Sequence, residues 1–394
     1  MSAERSATGG GAAAAGLYVH VPFCRTRCVY CDFATEACEA VPEGYVGAVL
    51  REAELYGERK DELWRSSFSS FDTLYLGGGT PSLLPPKAWA ELLSGLGERL
   101  PLGGLCEVTA EANPDDVQPR LLDAMAAAGV TRVSLGVQSL RQEDLLWLGR
   151  RHSAEQAVTA AREIRARGIS LALDLMYGLP RASPSAWREV LLRAIELEPM
   201  HISCYELTVE AGTPLGARGR AGEIVCVEEE RLMELFLMAR SVLGSAGYEQ
   251  YEVSNYARGP ASRSRHNQKY WDHRPYLGLG PAAHSFAMRR RWWNHRRYED
   301  YLGALSVGGL GVESCEHLDH AQLRLERLML GFRRSEGLPV SFLSALRGGA
   351  LSLSRLVAEG LLDVSCDRAA PTAQGLLLSN QLPLRFSERP SRGW

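Results

Sequence analysis

The sequence predicts an α/β protein, a partial (β/α)6 TIM-like barrel followed by a winged-helix-like satellite. Two observations carry this. Between residues 17 and 207, apolar strand-like runs alternate with longer amphipathic segments, the rhythm of strands joined by crossover helices into a parallel sheet. From about Leu323 the rhythm changes to helix, helix, then Leu353–Glu359 stopped by Gly360, a short strand at 361–365 and a Thr372-x-x-Gly375 turn. The expected division is a disordered small-residue tail over 1–16, a barrel over 17–250, an extension over 251–310 and a C-terminal helical unit over 311–394.

Strands are expected at 17–21, 72–76, 106–111, 131–136, 169–176 and 201–207. Helices fill the gaps and several mark their own ends. Ser153-x-x-Gln156 has the form of a capping box, and Ser183-Pro184 places a cap before an N1 proline. Gly129 and Gly168 follow helical runs and precede strands, as C′ glycines do. Six such units suit an open barrel rather than a closed one of eight.

In such barrels chemistry sits where strands end and loops begin. Cys24 follows the first strand, Gly77-Gly78-Gly79-Thr80-Pro81 the second, and Gln138-Ser139 the fourth; Glu111-Ala112-Asn113-Pro114 ends the third. Asp174 falls late in the fifth strand and Tyr205-Glu206 late in the sixth. Taken singly, Glu111, Gln138 and Asp174 are equally well half-buried, satisfied polar residues, and a glycine triplet is usually a turn. Together on one rim they point to binding, with glycines letting backbone groups meet a ligand's amine and carboxylate.

The loop after the first strand is Cys24-Arg25-Thr26-Arg27-Cys28-Val29-Tyr30-Cys31. It spans at most roughly 25 Å, so three thiols are neighbours without help from distant elements. An iron-sulfur cube normally takes four cysteines, and a three-cysteine loop leaves one iron free for another ligand. Structural zinc is the competing reading, but it needs four ligands, and here the fourth would be His20 or Cys38. Nine unevenly spaced cysteines without a secretory signal argue against disulfides and for a reducing cytoplasm.

Composition excludes other classes. Hydrophobic residues are 45% and charged residues 23%, ordinary for a globular chain, and no apolar run approaches the ~20 residues of a membrane span. The net charge of -3 gives no nucleic-acid signal, and only three of 44 basic residues are lysines, a bias towards arginine rather than a phosphate-binding pattern.

Six motifs together carry a family resemblance. They are Tyr18-Val19-His20-Val21-Pro22-Phe23-Cys24-x3-Cys28-x2-Cys31, Gly77-Gly78-Gly79-Thr80-Pro81, Glu111-Ala112-Asn113-Pro114, Gly136-Val137-Gln138-Ser139, Leu148-Gly149-Arg150-Arg151-His152 and Asp174-Leu175-Met176-Tyr177-Gly178-Leu179-Pro180. The chain resembles the radical SAM proteins of the oxygen-independent coproporphyrinogen oxidase group nearly end to end. His266-Asn267-Gln268-Lys269-Tyr270-Trp271, an H-N-x-x-Y-W signature preceded by Tyr251-Glu252-Val253-Ser254-Asn255-Tyr256-Ala257, resembles the haem-chaperone branch of that group.

The resemblance implies that Cys24, Cys28 and Cys31 hold a [4Fe-4S] cluster whose open iron chelates S-adenosylmethionine. It also implies that Tyr18, Gly78 and Glu111 line that adenosylmethionine site. Gly79, Thr80, Gln138, Arg150 and Asp174 match positions assigned to adenosylmethionine contacts in the oxidase, some to a second molecule. One electron from the cluster would then cleave a C–S bond and release a 5′-deoxyadenosyl radical. Two departures separate the chain from the oxidase. Asp32-Phe33 stands where the oxidase adds a further cysteine, and only an Ala/Gly-rich tail precedes Tyr18.

The expected activity is therefore haem binding and delivery to apo-haemoproteins, membrane-associated respiratory proteins among them, with an electron donor for the cluster and room for a homodimer. Oxidative decarboxylation of a porphyrinogen is the alternative. His266 is the candidate haem ligand, against the reading of a structural histidine with Tyr270 and Trp271 packing round it. Arg289-Arg290-Arg291-Trp292-Trp293-Asn294-His295-Arg296-Arg297 is either a clamp for propionates or a nucleic-acid backbone, or a solvated face. Arg355 is the only basic residue of the candidate recognition helix, too little for DNA.

Overall fold

A computed structural model describes residues 14–180, 183–224 and 226–386. Six strands form the parallel heart of the protein: β1 (Ala15–Val21), β2 (Phe71–Gly78), β3 (Glu107–Ala112), β4 (Arg132–Gln138), β5 (Ser170–Tyr177) and β6 (His201–Glu206). Each pairs in parallel with the next in sequence. All six strands lie within two residues of the limits expected from sequence at both ends. The sixth strand starts where expected. β1 begins inside the supposed tail, because the Ala15 N–H donates to Ser70 O at 2.9 Å. Residues 1–13 of that tail lie outside the described residues.

Strand alternation divides the side chains by chemistry. Leu17, Val19, Val21, Leu74, Leu76, Val133, Leu135, Leu171, Leu173 and Leu175 are at most 1% exposed and belong to one apolar core. The helices Tyr45–Gly57 (α1), Pro86–Arg99 (α2), Pro119–Ala127 (α3), Ala154–Ala166 (α4), Pro184–Glu196 (α5) and Glu229–Ser245 (α6) contribute their buried faces to it. α2 alone buries Trp89, Leu92 and Leu96, each worth about 2 kcal/mol. The intervening positions, Tyr75, Thr109, Glu111, Ser134, Asp174 and Ser203, face a common cavity. The inside of the barrel is thus polar and hollow, and its outside is the greasy face.

The expected helix ends form. Ser153 and Gln156 make a reciprocal capping box, Ser183 accepts from the Ala186 N–H, and Gly129 and Gly168 adopt φ of 96° and 72°.

The barrel does not close. β7 (Glu249–Glu252) and β8 (Asn255–Ala257) add antiparallel to the β6 edge. On the other edge β9 (Tyr276–Leu279) pairs in parallel with β1, followed by antiparallel β10 (His284–Ala287), β11 (Arg290–Asn294) and β12 (Val312–His317). Among the described residues the result is one twelve-stranded sheet. Strands from 249 to 294, most of them in the stretch expected as an extension over 251–310, therefore lie on both edges of the main sheet, and 312–317 join it as well. Unpaired edge groups of β1 and β6 recruit these strands, which are too short for their alternation to be read in advance.

Helix α7 (Arg265–Trp271) plugs the barrel where the strands begin. The Glu107 carboxylate at the start of β3 accepts from the N–H groups of Arg265 and His266 at 2.9 and 3.0 Å, a favourable charge at a helix N-terminus. The rest is α8 (His320–Gly331), β13 (Leu338–Pro339), α9 (Val340–Ser344), α10 (Gly349–Ala358), β14 (Leu362–Ser365) and β15 (Arg368–Pro371). This is winged-helix order, with a small sheet β13-β15-β14 and its own core around Leu328, Phe332, Leu343 and Leu356. Glu252 fastens it to the barrel edge. Its buried carboxylate accepts from Ser254 N and Asn255 Nδ2 at 2.9 and 2.6 Å and pairs with Arg333 at 2.7 Å.

Candidate functional site

The cysteine loop is closed at its base by a parallel pairing of Phe23–Cys24 with Glu36–Ala37, and the Cys38 N–H donates to Cys24 O at 2.9 Å. All three thiols are half-buried and line a cavity of about 580 Å³ inside the barrel mouth. Thr80 Oγ1 donates to Cys24 Sγ at 3.3 Å and Arg150 Nη1 to Cys28 Sγ at 3.2 Å, so two sulfurs already accept hydrogen bonds from the protein. Burial nevertheless pushes the Cys24 thiol up to about 11, a cost that a cationic centre would offset.

The donor set fits an iron-sulfur cube better than a single ion. Among the described residues no three His, Cys, Asp or Glu side chains converge to hold one metal ion, whereas a cube takes each cysteine on a separate iron. His20 is not a spare ligand for zinc. Its Nδ1 meets Tyr18 Oη at 2.9 Å and its Nε2 meets Ala34 O at 3.0 Å.

Two glycines bring β2 under this loop. A Cβ on Gly79 would lie 2.8 Å from the backbone of Pro22 and Phe23, and Gly79 N–H donates to Val21 O at 2.8 Å. Gly78 has φ of 115°, and a Cβ there would strike the His20 ring.

The structure brings Gly78, Gly79, Thr80, Glu111, Gln138, Arg150 and Asp174 to the same cavity as the thiols. Glu111 accepts from Tyr75 Oη at 2.8 Å and Gly78 N at 3.1 Å. Burial, with Asp174 as a like-charged neighbour, pushes its carboxyl up to about 7. Asp174 accepts from Ser134 Oγ at 2.9 Å and is also raised by burial. Two carboxyls destabilised as anions in one cavity make a receptor for a cation. Arg150 Nη2 reaches Asn113 Oδ1 and Gly136 O at 2.6 and 2.9 Å, tying the cysteine loop to the ends of β3 and β4. Gln138 sits at φ of 64° where the β4–β5 register slips.

Tyr18 faces an adjoining cavity of about 410 Å³, which shares Gly78 and Glu111 with the first. His266 reaches neither cavity. It is 1% exposed, its Nδ1 meets Thr73 Oγ1 at 3.0 Å, its Nε2 meets Tyr270 Oη at 2.8 Å, and its ring stacks on Tyr75. Both nitrogens are engaged inside the barrel plug, an arrangement that favours the structural reading of this histidine over the ligand reading. Trp271 packs edge-on against Tyr251, whose Oη meets His201 Nε2 at 2.8 Å.

Sequence reasoning missed Tyr75, Arg132, Ser134, Ser203 and Asn267 as site residues, which also line the main cavity. The signal was present for the strand residues: polar groups recur at every second position of strands whose other face is aliphatic.

A three-cysteine loop at the mouth of a partial parallel barrel defines a radical SAM protein, and residues 18–194 match the Radical SAM superfamily. The fold is shared with the solved coproporphyrinogen III oxidase (HemN) from Escherichia coli, at a TM-score of 0.78 and 21% identity over 95% of this chain and 90% of that one. The chain is 37% identical to the heme chaperone HemW of Mycobacterium tuberculosis (strain H37Rv) over 93% of each. It is 33% identical to the mitochondrial radical S-adenosyl methionine domain-containing protein 1 of Mus musculus over 96% of this chain and 89% of the relative. It belongs to the HemW family.

Proposed function

We propose that this protein binds haem and transfers it to apo-haemoproteins, respiratory haem proteins among them, under the control of a [4Fe-4S] cluster and S-adenosylmethionine. The observation that carries the reading is the likeness to the heme chaperone HemW over 93% of both chains. Cys24, Cys28 and Cys31 would hold the cluster. When bound, the cluster supplies one electron and the adenosylmethionine a cleavable C–S bond.

The chain's own residues bind and orient. Glu111 and Asp174 accept from the ligand's cationic and hydroxyl groups, Gly78 and Gly79 offer backbone without a Cβ in the way, and Arg150 holds the cluster loop against the barrel. Thr80 and Gln138 complete the wall, and Tyr18 stands in the adjoining cavity that shares Gly78 and Glu111. The nine unpaired cysteines suit a reducing cytoplasm with an electron donor. Among the described residues no helix is long and apolar enough to cross a membrane. Neither the charge nor the C-terminal helix favours nucleic acid, and a homodimer is compatible with transfer.

The alternative, oxidation of a porphyrinogen, draws on Gly79, Thr80, Gln138, Arg150 and Asp174, some of which the resemblance links to a second adenosylmethionine and all of which share the main cavity. Anaerobically reconstituted, reduced protein is given coproporphyrinogen III with adenosylmethionine, and separately haem followed by an apo-haemoprotein. Haem uptake and transfer without a vinyl product are expected; a vinyl product would establish the oxidase instead.

A further inference from the structure

The second cavity, beside the adenosylmethionine site, has the chemistry of a macrocycle seat. Tyr18, Tyr270, Tyr276 and Phe33 give it flat aromatic walls, with the Tyr270 and Tyr276 rings 4.6 Å apart and edge to face. Phe33 is 67% exposed, an apolar ring left in solvent at the mouth. Such a surface calls for an occupant.

Two imidazoles line the cavity, and only one is open. His20 spends both nitrogens on Tyr18 and Ala34. His284, the first residue of β10, is exposed, and among the described residues neither of its ring nitrogens has a hydrogen-bond partner. Its ring is held by stacking on Trp293, with centroids 5.8 Å apart and planes at 25°. A neutral, oriented imidazole with a free lone pair is a metal ligand in waiting.

The same cavity holds one open cation. Within the basic run, Arg291 pairs with Glu316 and Glu326, and Arg297 with Glu299. Arg296, which lines the cavity, makes no ion pair among the described residues. Aromatic walls, one open imidazole and one unpaired guanidinium together describe a flat apolar ring carrying a metal at its centre and carboxylates on its edge.

We propose that haem seats in this cavity, with a ring nitrogen of His284 as axial ligand to the iron and Arg296 paired to a propionate. This rests on the haem-binding reading above. The step is a simple coordination, in which the imidazole lone pair fills an iron position and nothing is oxidised. Asp32, Phe33, Gly78 and Glu111 line both cavities, so the cluster loop and the adenosylmethionine site share a wall with the haem.

The test is a hemin titration of the full, cluster-reconstituted chain, followed by Soret absorbance and electron paramagnetic resonance. Wild type is expected to show an imidazole-ligated signature. His284→Ala is expected to lose it, to bind roughly tenfold more weakly, to keep its cluster absorbance, and to regain the signature on adding free imidazole. Arg296→Glu should weaken hemin but leave hemin dimethyl ester, whose propionates are blocked, unaffected. A wild type that takes up haem while His284→Ala shows the same spectrum and affinity overturns this site alone. A wild type that takes up no haem overturns the haem-binding reading and this site with it.

Discussion

Arg150 places one guanidinium nitrogen 3.2 Å from Cys28 Sγ and the other 2.6 Å from Asn113 Oδ1, so that this side chain braces the cysteine loop against the barrel. A cation against a cluster sulfur stabilises the reduced, more negative state. Arg150→Met is therefore expected to make the cluster potential more negative and to weaken adenosylmethionine roughly tenfold. A redox titration followed by electron paramagnetic resonance checks it, and an unchanged potential would remove the brace from the redox role.

Glu111 predicts a pH dependence. Its folded carboxyl titrates near about 7, above the ordinary 4.5, so between those values the folded chain holds a proton that the unfolded chain has released. Stability contributed by this group therefore falls as pH rises through that window. A cationic ligand favours the ionised form, so adenosylmethionine affinity should rise from pH 6 to pH 8 with proton release. Calorimetry in buffers of different ionisation enthalpy measures this, and Glu111→Gln should flatten it. Glu52, pushed up to about 7 by burial in the α1–sheet interface, shares the stability effect but lies away from the cavity.

His266→Ala separates structure from ligation. Removing the ring leaves Thr73 and Tyr270 without partners and opens a hole beside Gly16, where a Cβ would come within 3.0 Å of that ring. A loss of about 3 kcal/mol is expected in denaturant unfolding. The haem spectrum should stay as in wild type; loss of the axial signature in a folded variant would return His266 to the ligand position.

Arg333→Ala strips the partner from Glu252, whose carboxylate is 1% exposed. Leaving that charge uncompensated should cost about 3 kcal/mol. Limited proteolysis should then release the winged-helix-like unit earlier than in wild type, and Glu252→Gln with Arg333→Met should recover much of the loss. Equal protease resistance would show that the clasp does not hold the unit.

Much of this site was legible in the sequence because it is built from local segments. Each barrel strand carries its own alternation, and the inward residues late in each strand and those just after it land on the same rim. Cys24, Gly79, Glu111, Gln138 and Asp174 meet for that reason. Gly129, Gly168 and Ser153 mark helix ends through φ preference and side-chain capping, which reach only three or four residues along the chain.

The pairing of edges was not legible. Nothing within residues 251–317 states that two of its short strands pair beyond β6 and four beyond β1, because a strand's hydrogen-bonding groups are the same whatever partner they find. That choice also sorted the histidines. His266 in its conspicuous motif went into the barrel plug with both nitrogens satisfied, while His284, in no motif at all, came to the edge of a cavity. The sequence by itself determined which residues stand at strand ends and which loop carries the thiols, since backbone geometry transmits those facts over a few residues. Only the tertiary structure decided which imidazole is sealed and which is open, because burial belongs to the packing of segments distant along the chain.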